Sequence, residues 1–147
     1  ACYDEKRIGE FLLASNLTVA PGMVGLTAMH SMAFGIPVVS HGNAEKQMPE
    51  FEAIIPGKTG SLFREGDLES LAEAIGPWVE HQWCTPETRS HCRDIIDRFW
   101  SPWFQLEAIC RAVEGQDADD LFFMRNTRTV FDKDLIVASK IKLPRDL

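Results

Sequence analysis

Positive charge is scarce where an anion-binding protein would need it: from Ala1 to Gly57 the only basic residues are Lys6, Arg7 and Lys46. Residues 1–114 hold 16 acidic against 9 basic side chains, so the whole net charge of −7 lies there, and the remainder balances at 6 and 6. That balance argues against nucleic acid or an anionic membrane surface as a direct partner. No apolar run approaches the roughly 20 residues that span a bilayer. The opening Ala-Cys-Tyr-Asp-Glu-Lys also lacks the basic and apolar regions of a signal peptide. No Cys-x-x-Cys occurs, so Cys2, Cys84, Cys92 and Cys110 are expected as free thiols in a reducing compartment. His81, Cys84, His91 and Cys92 match no usual zinc spacing, and no metal is expected.

The proportions present, 45% hydrophobic and 25% charged over 147 residues, are those of a globular chain of one-domain size. Its organising stretch is Ala20–His41. Leu17 to Ala20 is a short β-branched and apolar run expected to be a buried strand. Pro21 and Gly22 break it, and Gly25 opens a helix from Leu26 to Phe34 with Leu26, Met29 and Ala33 on one face. Gly35 suits a left-handed helix stop, Pro37 prevents continuation, and Val38-Val39 begins the next strand. A strand–helix–strand unit presents free N–H groups at the helix start, where phosphate is favoured.

Elsewhere, Asp4 is expected to cap a helix to about Ala14 with Ile8, Phe11 and Leu12 buried. His41 to Pro49 is a polar loop at the carboxyl end of a parallel strand, the edge where α/β sheets bind ligands. His41, Asn43 and Gln47 are therefore candidates for ligand contact, and equally suit a solvated loop. Gly57-Lys58-Thr59 is not a phosphate-binding loop, because the required upstream glycine is replaced by Glu52 and no helix follows. Ser61 to Phe63 reads as a strand. Asp67 caps a helix with Leu68, Leu71, Ala72 and Ile75 inward. Thr85-Pro86 and Ser101-Pro102 open two more, the first burying Cys92, Ile95, Ile96 and Phe99 and the second running through Leu106, Ile109 and Val113 to Gly115. Trp78, Trp83, Trp100 and Trp103 fall among these helices, where core packing is their commonest use.

Gly25-Leu26-Thr27-Ala28-Met29-His30-Ser31-Met32-Ala33-Phe34-Gly35-Ile36-Pro37-Val38-Val39 resembles the donor-binding signature of group 1 (family 4) glycosyltransferases. Glu52-Ala53-Ile54-Ile55 followed by Gly57-Lys58-Thr59-Gly60 is similar to that family's next segment, and Gly66–Ile75 to its following helix. The chain departs from the pattern at both motif glutamates, which fall on Gly22 and His30, as in a bacterial sub-group with this wording. The resemblance covers about residues 3–115. It implies an α/β fold, a partial Rossmann-like parallel sheet forming the second half of a GT-B C-terminal domain, followed by C-terminal helices, with residues 116–147 unassigned.

The resemblance further implies sugar transfer from a nucleotide-sugar donor to a carbohydrate or lipid-linked acceptor in bacterial surface polysaccharide assembly. Anomeric configuration would be retained, with no cofactor and no metal. Gly22, Met23, Val24, Gly25, Leu26, Thr27 and His30 would bind the donor. His30 stands where a glutamate contacts the ribose, although a histidine packed against the sheet is the other reading. Glu52 joins His41, Asn43 and Gln47 as a possible sugar or acceptor contact, and no catalytic residue is assigned. The chain would be a fragment, inactive alone, whose partner is a missing N-terminal Rossmann-like domain. Its place would be cytoplasmic, with any attachment to the inner membrane face left to that half. A nucleotide-sugar epimerase on the same architecture and a non-catalytic nucleotide-sugar-binding module are the alternatives.

Overall fold

In a computed structural model, residues 4–80 and 83–116 are described. Helix α1 (Glu5–Leu13) leads to strand β1 (Thr18–Ala20), helix α2 (Leu26–Ala33) and strand β2 (Val38–His41). Two short 3-10 turns, Ala44–Lys46 and Pro49–Ala53, then precede β3 (Gly60–Phe63), α3 (Leu68–Glu80), α4 (Pro86–Phe99) and α5 (Pro102–Glu114). The strands form one parallel sheet in the order β1-β2-β3, with Thr18 opposite Val38 and Val38 opposite Gly60. This is an α/β fold with a Rossmann-like parallel sheet and flanking helices.

β2 is buried along its whole length, as a central parallel strand must be. Successive side chains point to opposite faces, so Val38 enters a core with Val24, Ala28, Met32, Ile54 and Cys92. Val39 enters a second one with Phe63 and Trp78. Helices α2 and α4 pack together over the first face, and α3 lies on β3 over the second. The indole N–H of Trp78 donates to Ser61 Oγ at 2.8 Å, which satisfies its polar edge inside that core.

The helix ends follow local chemistry. Asp4 accepts from the N–H groups of Lys6 and Arg7, Thr85 from Thr88, and Ser101 from Phe104. Helix α2 stops in a Schellman motif: the Gly35 N–H donates to Met32 O at 2.8 Å and the Ile36 N–H to Ser31 O at 2.9 Å. Gly35 has φ +76°, and a side chain there would strike the Arg93 guanidinium and the Arg89 backbone. Thr59 is fully buried, accepting from the Ile55 N–H at 2.7 Å and donating to Ala53 O at 2.7 Å. The Gly-Lys-Thr triplet is thus a turn that launches β3, in keeping with its rejection as a phosphate loop.

Several expected faces are corrected. β1 is an edge strand only partly covered, with Val19 exposed. α1 buries Gly9 alone and Phe11 is exposed, because the contact it makes, Gly9 against the Phe34 ring, is narrow. α2 buries Ala28, Ser31 and Met32, whereas Leu26 and Ala33 face solvent. Ser31 Oγ donates to Thr18 Oγ1 at 2.9 Å, so a hydroxyl pair sits where only apolar residues were sought. α3 turns Leu71, Ala74, Ile75 and Trp78 inward and leaves Leu68, in its first turn, 81% exposed. α5 has no buried residue: Trp103, Leu106, Ile109 and Val113 are all exposed. Cys84, Cys92 and Cys110 are free thiols, while Cys2, His81 and the segment 117–147 lie outside the described residues.

Gly60 is fixed by the sheet itself. A Cβ there would run into the Val38 carbonyl, so Gly60→Ala should cost about 3 kcal/mol or more in urea unfolding. Gly57→Ala, at φ +75° but with open space around it, should cost only about 1–2 kcal/mol.

Burial beneath α2 pushes the Cys92 thiol up to about 12, with Cys84 adding to the effect and Arg93 and Arg89 opposing it. A pKa raised above the ordinary 9.0 means that stability tied to this thiol is intact below pH 9 and lost as pH rises through about 12. Thiol reagents at neutral pH should therefore label exposed Cys110 promptly and Cys92 only after denaturation.

Candidate functional site

Because the three strands are parallel, the loops after β1, β2 and β3 gather on one edge. The β1–α2 loop, Pro21 to Gly25, is held there by two linked side chains, Gln47 and Ser40. Gln47 Oε1 accepts the Val24 N–H at 2.8 Å, while its Nε2 donates to Ser40 Oγ at 2.9 Å and to His41 O at 2.8 Å. Ser40 Oγ in turn donates to Gly22 O at 3.3 Å. One amide thereby ties the loop after β1 to the end of β2.

Beyond the loop, α2 starts without a side-chain cap. Its first N–H groups have no acceptor within the helix, as at any helix start, and they carry the positive end of the helix dipole. Met23, Leu26, Thr27 and His30 are exposed around this start, and Gly22 is exposed before it. Gly25 lies beside Met48, whose side chain would be 3.7 Å from an added Cβ. Val24 differs from its neighbours in the expected donor set. Its side chain is in the core and its N–H is taken by Gln47, which makes it a support for the loop.

The other expected contacts separate by environment. His41 is 3% exposed, with its ring edge-on to Phe63 and Nδ1 accepting the Asn43 N–H at 3.3 Å. Asn43 Nδ2 donates to Glu65 Oε2 at 2.7 Å. His41 and Gln47 therefore shape the loop, and Asn43 joins it to the end of β3. Glu52 is half-buried in the second 3-10 turn, which packs on α2, and burial raises its carboxyl pKa. Glu65 went unnoticed in the sequence. Its place directly after β3, on the same edge, is the signal that would have found it. Hydrogen bonds from Asn43 and then Lys46 hold its carboxyl below the usual range. Among the described residues no group of three or more His, Cys, Asp or Glu is arranged to hold a metal ion.

A sheet edge of this kind with an open helix start is common to many activities, and comparison with known families decides among them. Residues 3–81, more than half of the 147, match the family described as Glycosyl transferases group 1. The chain belongs to that family. No curated protein and no solved structure matches it. Membership makes it a glycosyl transferase domain acting between a sugar donor and an acceptor, and sets transfer ahead of epimerisation. The matched span contains all three strands, the β1–α2 loop, the Gln47 amide and α3. Among the described residues no helix of the transferase is long and apolar enough to cross a membrane.

Gln47→Ala should lower stability by about 1–3 kcal/mol, since it strips the Val24 N–H and the Ser40 hydroxyl of a partner. Faster hydrogen exchange at the Val24 amide should accompany the shift in urea midpoint.

Proposed function

We propose that this transferase binds a nucleotide-sugar donor at the start of α2 and passes its sugar to a carbohydrate or lipid-linked acceptor. Such a reaction belongs in bacterial surface polysaccharide assembly, on the cytoplasmic side of the membrane. The observation that carries the reading is the uncapped α2 start at the carboxyl edge of the sheet, inside the matched family span. The N–H groups of Gly25, Leu26 and Thr27 would meet the diphosphate and stabilise the charge that grows on it as the sugar departs. The exposed Thr27 hydroxyl adds one donor.

In this reading residues 1–115 form part of the second domain of a GT-B enzyme. A first Rossmann-like domain supplies the other wall of the cleft, and this piece alone is inactive. Transfer proceeds with retention and without a metal. With neither motif glutamate present at Gly22 or His30, His30 serves the ribose end of the donor. An imidazole donates from one nitrogen and accepts at the other, so it serves a hydroxyl where a carboxylate would chelate two. The full-length protein given a panel of nucleotide sugars and acceptors should release nucleoside diphosphate and form a glycoside. Epimer formation, or donor binding without turnover, would overturn the reading.

His30 is exposed on the last turn of the short helix α2, so replacing it should leave the fold intact. His30→Ala is expected to weaken donor binding by about 1–3 kcal/mol by leaving a ribose hydroxyl unpaired, with partial recovery in His30→Gln. Calorimetric titration checks the affinity, and a melting curve checks that stability has not moved.

A further inference from the structure

Helix α5 is seated on one side only. Phe104 meets Phe99 of α4 edge-on, ring centroids 6.0 Å apart, and Phe104, Ala108 and Arg111 are half-buried along that side. Their spacing of four and then three residues marks one face of a helix. On the opposite face Leu106, Ile109 and Val113 recur at the same period, and they are 54%, 61% and 82% exposed. Trp103 and Cys110 stand on the flank of that stripe. A helix this short depends on packing of its apolar face for most of its stability, and α5 has no buried residue.

Size and charge limit what can cover the stripe. From Leu106 to Val113 it runs about 10 Å, on a helix about 10–12 Å wide. Two copies meeting through it alone would bury far less than the roughly 800 Å² per partner of a stable interface. A bilayer surface suits helices whose polar side is rich in Lys and Arg. Helix α5 instead presents Glu107 and Glu114, and its one basic residue, Arg111, donates to Glu107 at 2.7 Å. A segment already tethered to the helix needs neither a large area nor a basic face, because its effective concentration is in the millimolar range.

The chain provides such a segment. Helix α5 closes on Gly115 at φ +66°, with the Gln116 N–H donating to Arg111 O at 2.9 Å, an end that turns the chain off the helix axis. Asp117, Ala118, Asp119 and Asp120 follow, and then Leu121-Phe122-Phe123-Met124. The stretch from Gln116 to Leu121 can reach about 17 Å, more than the length of the stripe. We infer that Leu121-Phe122-Phe123-Met124 docks on the Leu106, Ile109 and Val113 face of α5. The later apolar run Leu135-Ile136-Val137 would have to close a longer loop, at a greater cost in entropy.

Hydrogen exchange and sedimentation of the full-length protein test this. The unaltered protein should sediment as a monomer with its α5 amides protected. Phe122→Asp with Phe123→Asp should speed exchange across α5 about tenfold or more and leave β1 to β3 unchanged. Ile136→Asp, the control, should leave α5 as it is. Ile109→Asp should speed α5 exchange as well, and adding the Phe122 and Phe123 changes to it should do little more, since the contact is then already lost. Unprotected α5 amides in the unaltered protein, or an equal effect from Ile136→Asp, would overturn the proposal. Protection that the Phe122 and Phe123 changes do not disturb gives the face to another occupant and overturns it too, as does a dimer that Ile109→Asp dissociates. Should Ile109→Asp fail to fold, the Phe122 and Phe123 variant against the unaltered protein still decides.

Discussion

Strand β2 is covered on both faces, and much of the described structure follows from that constraint. A strand with no solvent face can carry Val38 and Val39 without difficulty, but Ser40 and His41 bring polar atoms into the same enclosure. Buried polar groups without partners cost free energy, so the chain returns Gln47 to meet them. The carboxamide that satisfies Ser40 and the His41 carbonyl has one acceptor left, and Val24 fills it. The position of the loop before α2, and hence of the helix start, is in this sense a consequence of polar atoms buried at the end of β2.

This explains which parts were legible in the sequence. Caps are local: Asp4, Thr85-Pro86, Ser101-Pro102 and the glycines at 35 and 115 each act on residues a few positions away, and the helices begin and end where they indicate. The β1–α2–β2 unit was equally readable, since β-branched runs and breakers alternate along it. Inward faces were harder. In α2 and α3 small and apolar residues occupy more than one side, so the stripe does not choose its own orientation. Contact with β1 through Ser31 and with Ser61 through Trp78 chooses it.

For the candidate site the division is similar. The open start of α2 was foreseeable, and His30 and Thr27 are both exposed on that helix. Gln47 was recognised as placed on the right edge, but its bond to Val24 spans 23 positions and leaves no periodic trace. Glu65 depends on the same kind of distant pairing, with Asn43 and Lys46 on another loop. The α5 face is a further case. Its apolar stripe is legible as a pattern, yet Trp103 and Val113 are 79% and 82% exposed.

Every other described α-helix starts on a side chain that receives one or more of its first free N–H groups: Asp4, Asp67, Thr85 and Ser101. Among the described α-helices, α2 alone starts on a glycine that provides none. A serine or aspartate cap is ordinarily worth about 0.5–2 kcal/mol relative to a residue without one, so evolution has left stability unclaimed at this one helix end. That is the trade commonly seen where accessible groups matter more than a rigid fold. Its thermodynamic corollary is linkage: an anion seated on those amides would serve as the missing cap, and the protein would become harder to unfold as the ligand concentration rises.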